Sequence, residues 1–414
     1  MQTIPAFRLA LVLLATFFSP LLSAEDWPWW RGPDRNGVAT GEKGPPIQLD
    51  AKKNLLWSVD LPGRSHGSPI IVADSVVLAV ADEEKKLQSL HAFDRETGKP
   101  KWAEIIHENG MQQKSNKKAS WASSTPASHD GRVFINFVSG DAAWTTALDL
   151  ETGKQLWQKK ICDYQIHQGY GSSPAIFEEL VIVSADNKKG GAVIAFDQES
   201  GSEVWRVDRA KMPNYPSPIL LEAAGKLQLF LTGTERVTSL DPRTGEILWE
   251  IEGATTECVT STVTDGKHIY SSGGYPRNHV AAIAADGSGK IAWETKDRVY
   301  VPSMLIKGDY LYAVMDSGVG ICWNAATGEE MWKARIGGTF SASPILIEDR
   351  IYAANEAGEL TVFRASPNGL DVLGKSKVGD EVFASPTICD GRIYFRAAFY
   401  QGNQRTEKLL VYGE

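Results

Sequence analysis

The chain has 414 residues, with 43 Lys and Arg against 51 Asp and Glu and a formal net charge of −8 at pH 7. That acidic balance excludes a general nucleic-acid binder, which needs a basic face to meet phosphates. The length is that of two or three ordinary domains, but 38 Gly and 13 Trp in a 43% hydrophobic chain suit many short strands and tight turns in one ring.

Taken in chain order, the first segment reads as a targeting sequence. Arg8 stands before a mostly apolar run, Leu9 to Leu22, and Leu22-Ser23-Ala24 offers a small residue at a cut. Residues 1–24 are predicted to be a signal peptide, with the mature chain exported to a periplasmic or extracellular space. No Cys at the cut offers a lipid anchor, and no later run reaches about 18 apolar residues, so no transmembrane segment is expected. Residues 25–54 form a leader. Its Trp27-Pro-Trp-Trp-Arg-Gly-Pro33 predicts docking onto the body, because three exposed Trp would make an apolar patch.

From residue 55 onward a unit repeats. Asn54-Leu-Leu-Trp57-Ser-Val-Asp60 is a strand with a Trp but no turn before it. Six turns follow, 39 to 55 residues apart from Gly to Gly. They run Asp94 to Gly98 and Trp102, Asp149 to Gly153 and Trp157, and Asp197 to Gly201 and Trp205. Three more run Asp241 to Gly245 and Trp249, Asp286 to Gly289 and Trp293 (one residue short), and Asn324 to Gly328 and Trp332. A fainter seventh places Gly369 before Leu373. An apolar run, a polar turn with Gly and a second run make a hairpin with a bulge. The Gly takes φ > 0, and the Trp is an apolar plate to bury against the next unit. These Gly and Trp residues are therefore read as structural.

A second element opens each unit: Ser68-Pro69, Thr125-Pro126, Ser173-Pro174, Ser217-Pro218, Ser261-Thr262, Ser303-Met304, Ser343-Pro344 and Ser385-Pro386. Eight openings predict eight four-stranded blades, an all-β propeller spanning residues 55–414. The last unit has three strands, so Leu55 to Val59 is predicted to complete it against Leu409 to Tyr412 and close the ring.

The Asp-x-x-Thr-Gly-x-x-x-Trp turn with its Ser-Pro strand resembles the repeat of pyrroloquinoline-quinone-like (PQQ-like) β-propellers. Trp27 to Gly37 resembles the leader of secreted bacterial proteins with this repeat. The resemblance covers residues 55 to 412 and implies two kinds of relative: quinone-dependent alcohol dehydrogenases, and the propeller lipoprotein of the outer-membrane β-barrel assembly machinery. The dehydrogenases carry an adjacent Cys pair over the quinone, and Glu, Asn and Asp around calcium. Here Cys162, Cys258, Cys322 and Cys389 are never consecutive, and Asn214, Glu257, Asp297 and Asp380 are oxygen donors that no spacing draws together. No GxSxG, HExxH, P-loop or Rossmann fingerprint is present.

The repeat is constant, so function is sought in what varies: the segment leading into each first strand. These segments carry His66, Trp121, Tyr170, Tyr215, Tyr300, Phe340 and Phe383, with Arg64, His167, Asn214 and Arg298 close by. Aromatic rings with a few polar groups make a recognition surface at one mouth of the channel, for an anionic or hydroxyl-bearing ligand. The competing reading has the rings plugging the channel or packing between blades. The longest segment, Ala103 to Ala122, carries Lys114, Lys117 and Lys118, read as a solvated loop. The expectation is a monomeric, non-enzymatic binding or scaffold protein with no metal or cofactor, its partner a protein or a small molecule. The alternative is a PQQ-dependent alcohol dehydrogenase-like oxidoreductase, with PQQ and calcium as its cofactors.

Overall fold

The computed structural model describes residues 26–39, 41, 43–113 and 116–414. The expected signal peptide and Lys114 lie outside them. Eight four-stranded antiparallel sheets form the blades of a β-propeller. Blades 1 to 7 occupy residues 70–108, 127–163, 175–209, 219–252, 263–295, 305–335 and 345–377. Blade 8 takes Thr387–Cys389, Arg392–Gln401 and Gln404–Tyr412 from the end of the chain and Leu55–Leu61 from near its start. Leu55 pairs with Tyr412 and Val59 with Leu409, so the strand with the unmatched Trp57 closes the ring as its sequence predicts.

The repeated turn explains itself at the atomic level. Asp94 Oδ1 accepts the Thr97 N–H at 2.8 Å and its hydroxyl at 2.6 Å, while the Gly98 N–H bonds the Asp94 carbonyl at 2.9 Å. Asp149 with Thr152 and Asp197 with Ser200 repeat the arrangement. Gly98 sits at φ +69, and a Cβ there would lie 2.5 Å from the Trp57 ring of the preceding blade. Gly153, Gly201, Gly245 and Gly328 meet Trp102, Trp157, Trp205 and Trp293 in the same way. Each indole N–H then bonds the neighbouring turn, as Trp57 does to the Arg95 carbonyl and Trp157 to the Gln198 carbonyl.

Two copies deviate. In the short fifth turn the glycine against Trp249 is Gly287. Gly289, two residues on, has open space around it, because losing one residue shifts the close approach back along the turn. The Trp249 indole also bonds the Gln228 side chain instead of a backbone carbonyl. In blade 7 the register places Gly374, one residue beyond the expected Leu373, opposite Val362 where the other blades set their Trp, because the bulge before it takes up Leu373, and the leader fills the gap. A Cβ on Gly374 would meet Ile47 at 2.7 Å, the Leu49 N–H bonds Ser376 at 2.8 Å, and the Tyr352 hydroxyl bonds the Pro45 carbonyl at 2.7 Å.

Apolar side chains gather between blades rather than in one centre. The largest cluster joins the leader (Trp27, Ala39, Leu49) to blades 7, 8 and 1. Arg396 is buried at that closure. Its two Nη groups donate to the Ala79 carbonyl at 2.6 Å and the Gly63 carbonyl at 2.8 Å, and Nε lies 3.3 Å from Glu407. Residues 103–108, expected in the long segment after blade 1, belong to its outermost strand Pro100–Glu108. The connection begins only at Asn109.

Candidate functional site: a blind funnel on the channel axis

The first strands stand around the axis, and the repeated Ser and Thr link them. The N–H of Ser68 donates to the Thr125 hydroxyl oxygen at 3.0 Å, Thr125 to Ser173 at 2.9 Å, and Ser173 to Ser217 at 2.8 Å. Ser261 donates likewise to Ser303, Ser303 to Ser343, and Ser343 to Ser385 at 2.8–3.1 Å. This belt satisfies backbone donors that have no strand partner where the first strands begin. Sequence alone shows the Ser but not its bond to the next blade, because that partner is about 40 residues away.

The leader crosses beneath the belt. Trp27 exchanges backbone bonds with Ile71, the Pro28 carbonyl accepts from Ser128, and Arg35 donates to the Ile176 carbonyl while stacking on Trp29 at 4.4 Å. Ala39 and Leu346 bond through the backbone, and the Trp30 indole donates to the Ser261 hydroxyl at 2.9 Å. The leader thus touches first-strand regions of blades 1, 2, 3, 5 and 7. Above it opens a funnel of about 810 Å³, with Trp30 and belt residues among its lining.

Eight of the eleven expected side chains line this funnel: His66, His167, Tyr170, Tyr215, Arg298, Tyr300, Phe340 and Phe383. His66 stacks on Phe383 with centroids 4.6 Å apart. Tyr170 is buried, donates to the Ser184 carbonyl at 3.0 Å and meets Tyr164 edge-on at 5.2 Å. Arg298 lies over Tyr300 at 4.9 Å and donates to the Gly274 carbonyl at 2.8 Å. His167 faces Glu257 at 3.6 Å. Burial, helped by the Glu257 charge, raises the Tyr215 hydroxyl well above its ordinary pKa and Tyr300 to about 12, so both stay protonated donors.

Three expected residues are placed elsewhere. Trp121 donates to the Gln112 carbonyl at 2.8 Å and packs, half-buried, against the blade 1–2 core, an indole bond that turns its ring away from the mouth. Asn214 clips blades 4 and 5, accepting the Cys258 N–H at 3.0 Å. Arg64 is tied to the carbonyls of Lys117 and Lys118 and lies over Phe383 at 5.5 Å.

Asp316, Glu356 and Tyr275, which the lead-in segments do not point to, also line the funnel, as does Trp30 of the docked leader. Asp316 and Glu356 sit in turns between second and third strands, which antiparallel alternation puts on the same face as the lead-in segments. That alternation is a signal the sequence does hold. Asp316 accepts the Tyr300 N–H at 2.9 Å, and burial raises its pKa. Lys118, exposed as a solvated loop would have it, also pairs with Glu356 at 2.7 Å at the funnel mouth.

Calcium with a quinone does not suit these donors. Of Asn214, Glu257, Asp297 and Asp380 only Glu257 reaches the funnel. Asp297 is held by Thr295 and Lys333, and Asp380 by the Tyr400 N–H. Among the described residues no three His, Cys, Asp or Glu side chains converge as metal ligands. The four cysteines are not joined in disulfides, and burial raises Cys162 to about 11 and Cys322 to about 12. No helix among the described residues is long and apolar enough to cross a membrane.

A family model described as outer membrane protein assembly factor BamB matches residues 31–161, 88–323 and 276–369. Proteins of that description from Xanthomonas campestris pv. campestris and Shewanella oneidensis are 36% identical over 94 residues and 23% identical over 322. Those stretches are 22% and 72% of this chain, and span 21% and 64% of the two relatives. Among solved structures, BamB from Moraxella catarrhalis aligns with a TM-score of 0.62 at 15% identity, over 87% of this chain and 97% of that one. A europium-containing methanol dehydrogenase aligns at 0.67 and 12% identity, over 94% and 98%. Likeness at such identities is likeness of fold, and it does not separate a scaffold from an enzyme.

Proposed function

The chain belongs to the family described as outer membrane protein assembly factor BamB, and from that premise we propose that it is an exported, non-enzymatic binding protein. It holds a protein partner of outer-membrane assembly at the mouth of its funnel. The observation that carries this reading is the make-up of the funnel. Tyr170, Tyr215, Tyr300, Phe340 and Phe383 supply flat rings on a rigid ring of sheets, beside charged groups already engaged singly by neighbours. Rings with a few fixed polar groups suit recognition. Catalysis would need a nucleophile and base, or several metal donors, held together. Of the three polar groups expected to orient an anionic or hydroxyl-bearing ligand, Arg64 stands outside the lining and His167 is turned to Glu257. Contact area therefore carries the affinity, and a small hydroxyl-bearing ligand is the lesser fit. The chain acts as a monomer without a cofactor. The dehydrogenase reading keeps the shared fold but lacks converging donors. A photo-crosslinker at position 300 in exported protein tests the proposal. The expected product is a crosslink to a β-barrel assembly component, lost on Tyr215→Ala. Dye-linked alcohol oxidation on adding quinone and calcium, with no such crosslink, would overturn it.

A further inference from the structure

We infer that the chain binds one small monovalent anion, of halide size, beneath the serine belt where blade 8 meets blade 1, and that this anion pins the leader that floors the funnel. The belt consists of two runs of three links, and its two breaks lie on opposite sides of the ring. At the first break, between Ser217 and Ser261, the Trp30 indole donates to the Ser261 oxygen. At the second, Ser385 makes no bond to Ser68, and the buried Ser68 hydroxyl has no partner. Arg31 lines the same place and is 1% exposed. Its Nη2 donates to the Asn36 and Met304 carbonyls, while Nε and Nη1 are buried without an acceptor. Burial alone, with no carboxylate acting on it, pushes its pKa down to about 9.

A buried guanidinium without a counter-charge is strongly disfavoured, and a guanidinium has donors only. Arg31, Ser68, Ser343 and Ser385, with Trp27, Trp30, Ile345 and Pro386, line a cavity of about 10 Å³, which limits its occupant to one small, single-centre species. A water would accept some of these donors but bring no charge. A halide accepts from the guanidinium and the hydroxyl together and neutralises the cation. Sulfate and phosphate are too large for the space.

The test uses the full exported chain, melted in gluconate buffers of constant ionic strength with increasing chloride. The melting temperature is expected to rise with chloride and level off, as a bound ligand requires. Bromide should act alike and sulfate should not. In crystals grown with bromide, an anomalous peak is expected beside Arg31. Ser68→Ala, which leaves the floor in place, should raise the half-saturating chloride concentration about tenfold, the loss of one hydrogen bond to a charged group. Arg31→Met should abolish the chloride response. Melting that ignores halides, or a site holding only water with no anomalous signal, would overturn the inference. Both results come from the unaltered protein, so a variant that fails to fold does not rescue it.

Discussion

Single positions separate backbone strain from packing. Gly98 and Gly131 share nearly the same left-handed conformation, φ +69 and +71, but Gly98 faces Trp57 at 2.5 Å while Gly131 has nothing within 4 Å. Gly131→Ala is expected to lose about 1–2 kcal/mol from conformation alone. Gly98→Ala should lose roughly 1–3 kcal/mol more, because the indole must move. Equal denaturation midpoints for the two variants would show that the Trp contact contributes nothing. A second residue-scale effect is set by pH. Burial, with the Arg396 charge nearby, lowers His91 to about 4, and burial alone lowers His107 to about 4. Both folded values lie below the unfolded value of about 6.5, so between pH 6.5 and 4 the unfolded chain binds protons that the folded chain refuses. Stability is complete above pH 6.5 and falls as pH drops through that window. Calorimetry from pH 7.5 to 4.5 should show a flatter profile for the His91→Gln, His107→Gln double variant. An unchanged slope would locate the acid sensitivity in other groups.

At the scale of elements, the leader acts as a part of the ring. Ile47 and Leu49 occupy the place beside blade 7 that a Trp fills elsewhere. Ile47→Ala, Leu49→Ala should therefore lower the melting temperature, while the exposed Leu156→Ala on blade 2 should not. Limited proteolysis should find residues 27–39 resistant in native protein. Rapid cleavage there, with the rest of the chain intact, would contradict the docking. The same scale shows what a sequence can and cannot carry. Strands, turns and blade number were legible because Asp, Gly and Trp act on neighbours within one repeat or the next. The funnel was legible only in part. Tyr215, Tyr300 and Phe340 follow from their place before a first strand, but Trp121 stands in an equivalent place and turns into the core. Which way a ring turns depends on the volume left by residues far along the chain, and no local pattern encodes that. The sequence marks Trp30 as a docking residue and not as a floor, because its partner Ser261 lies 231 positions away.

At the scale of the whole molecule, stability hangs on one joint made by two distant parts of the chain. Seven blades are built from continuous sequence, and only blade 8 takes a strand from the other end. Its outermost strand brings Trp57 onto the Gly98 turn, and Arg396 on its second strand reaches the blade 1 carbonyl of Ala79 and the lead-in carbonyl of Gly63. Removing residues 26–61 would bare the Gln404–Tyr412 strand as an edge and take the Trp57 ring off the Gly98 turn. An uncovered edge strand invites pairing with another chain, and a buried apolar ring that is lost leaves a cavity. The truncated chain is therefore expected to melt well below the full one and to form higher oligomers in size-exclusion chromatography. Supplying residues 26–61 in trans should restore both properties, because pairing, the Trp57 contact and the leader contacts are non-covalent. A truncated chain that stays monomeric and melts like the full protein would mean that blades 1 to 7 hold the ring unaided, and that the closing strand is dispensable.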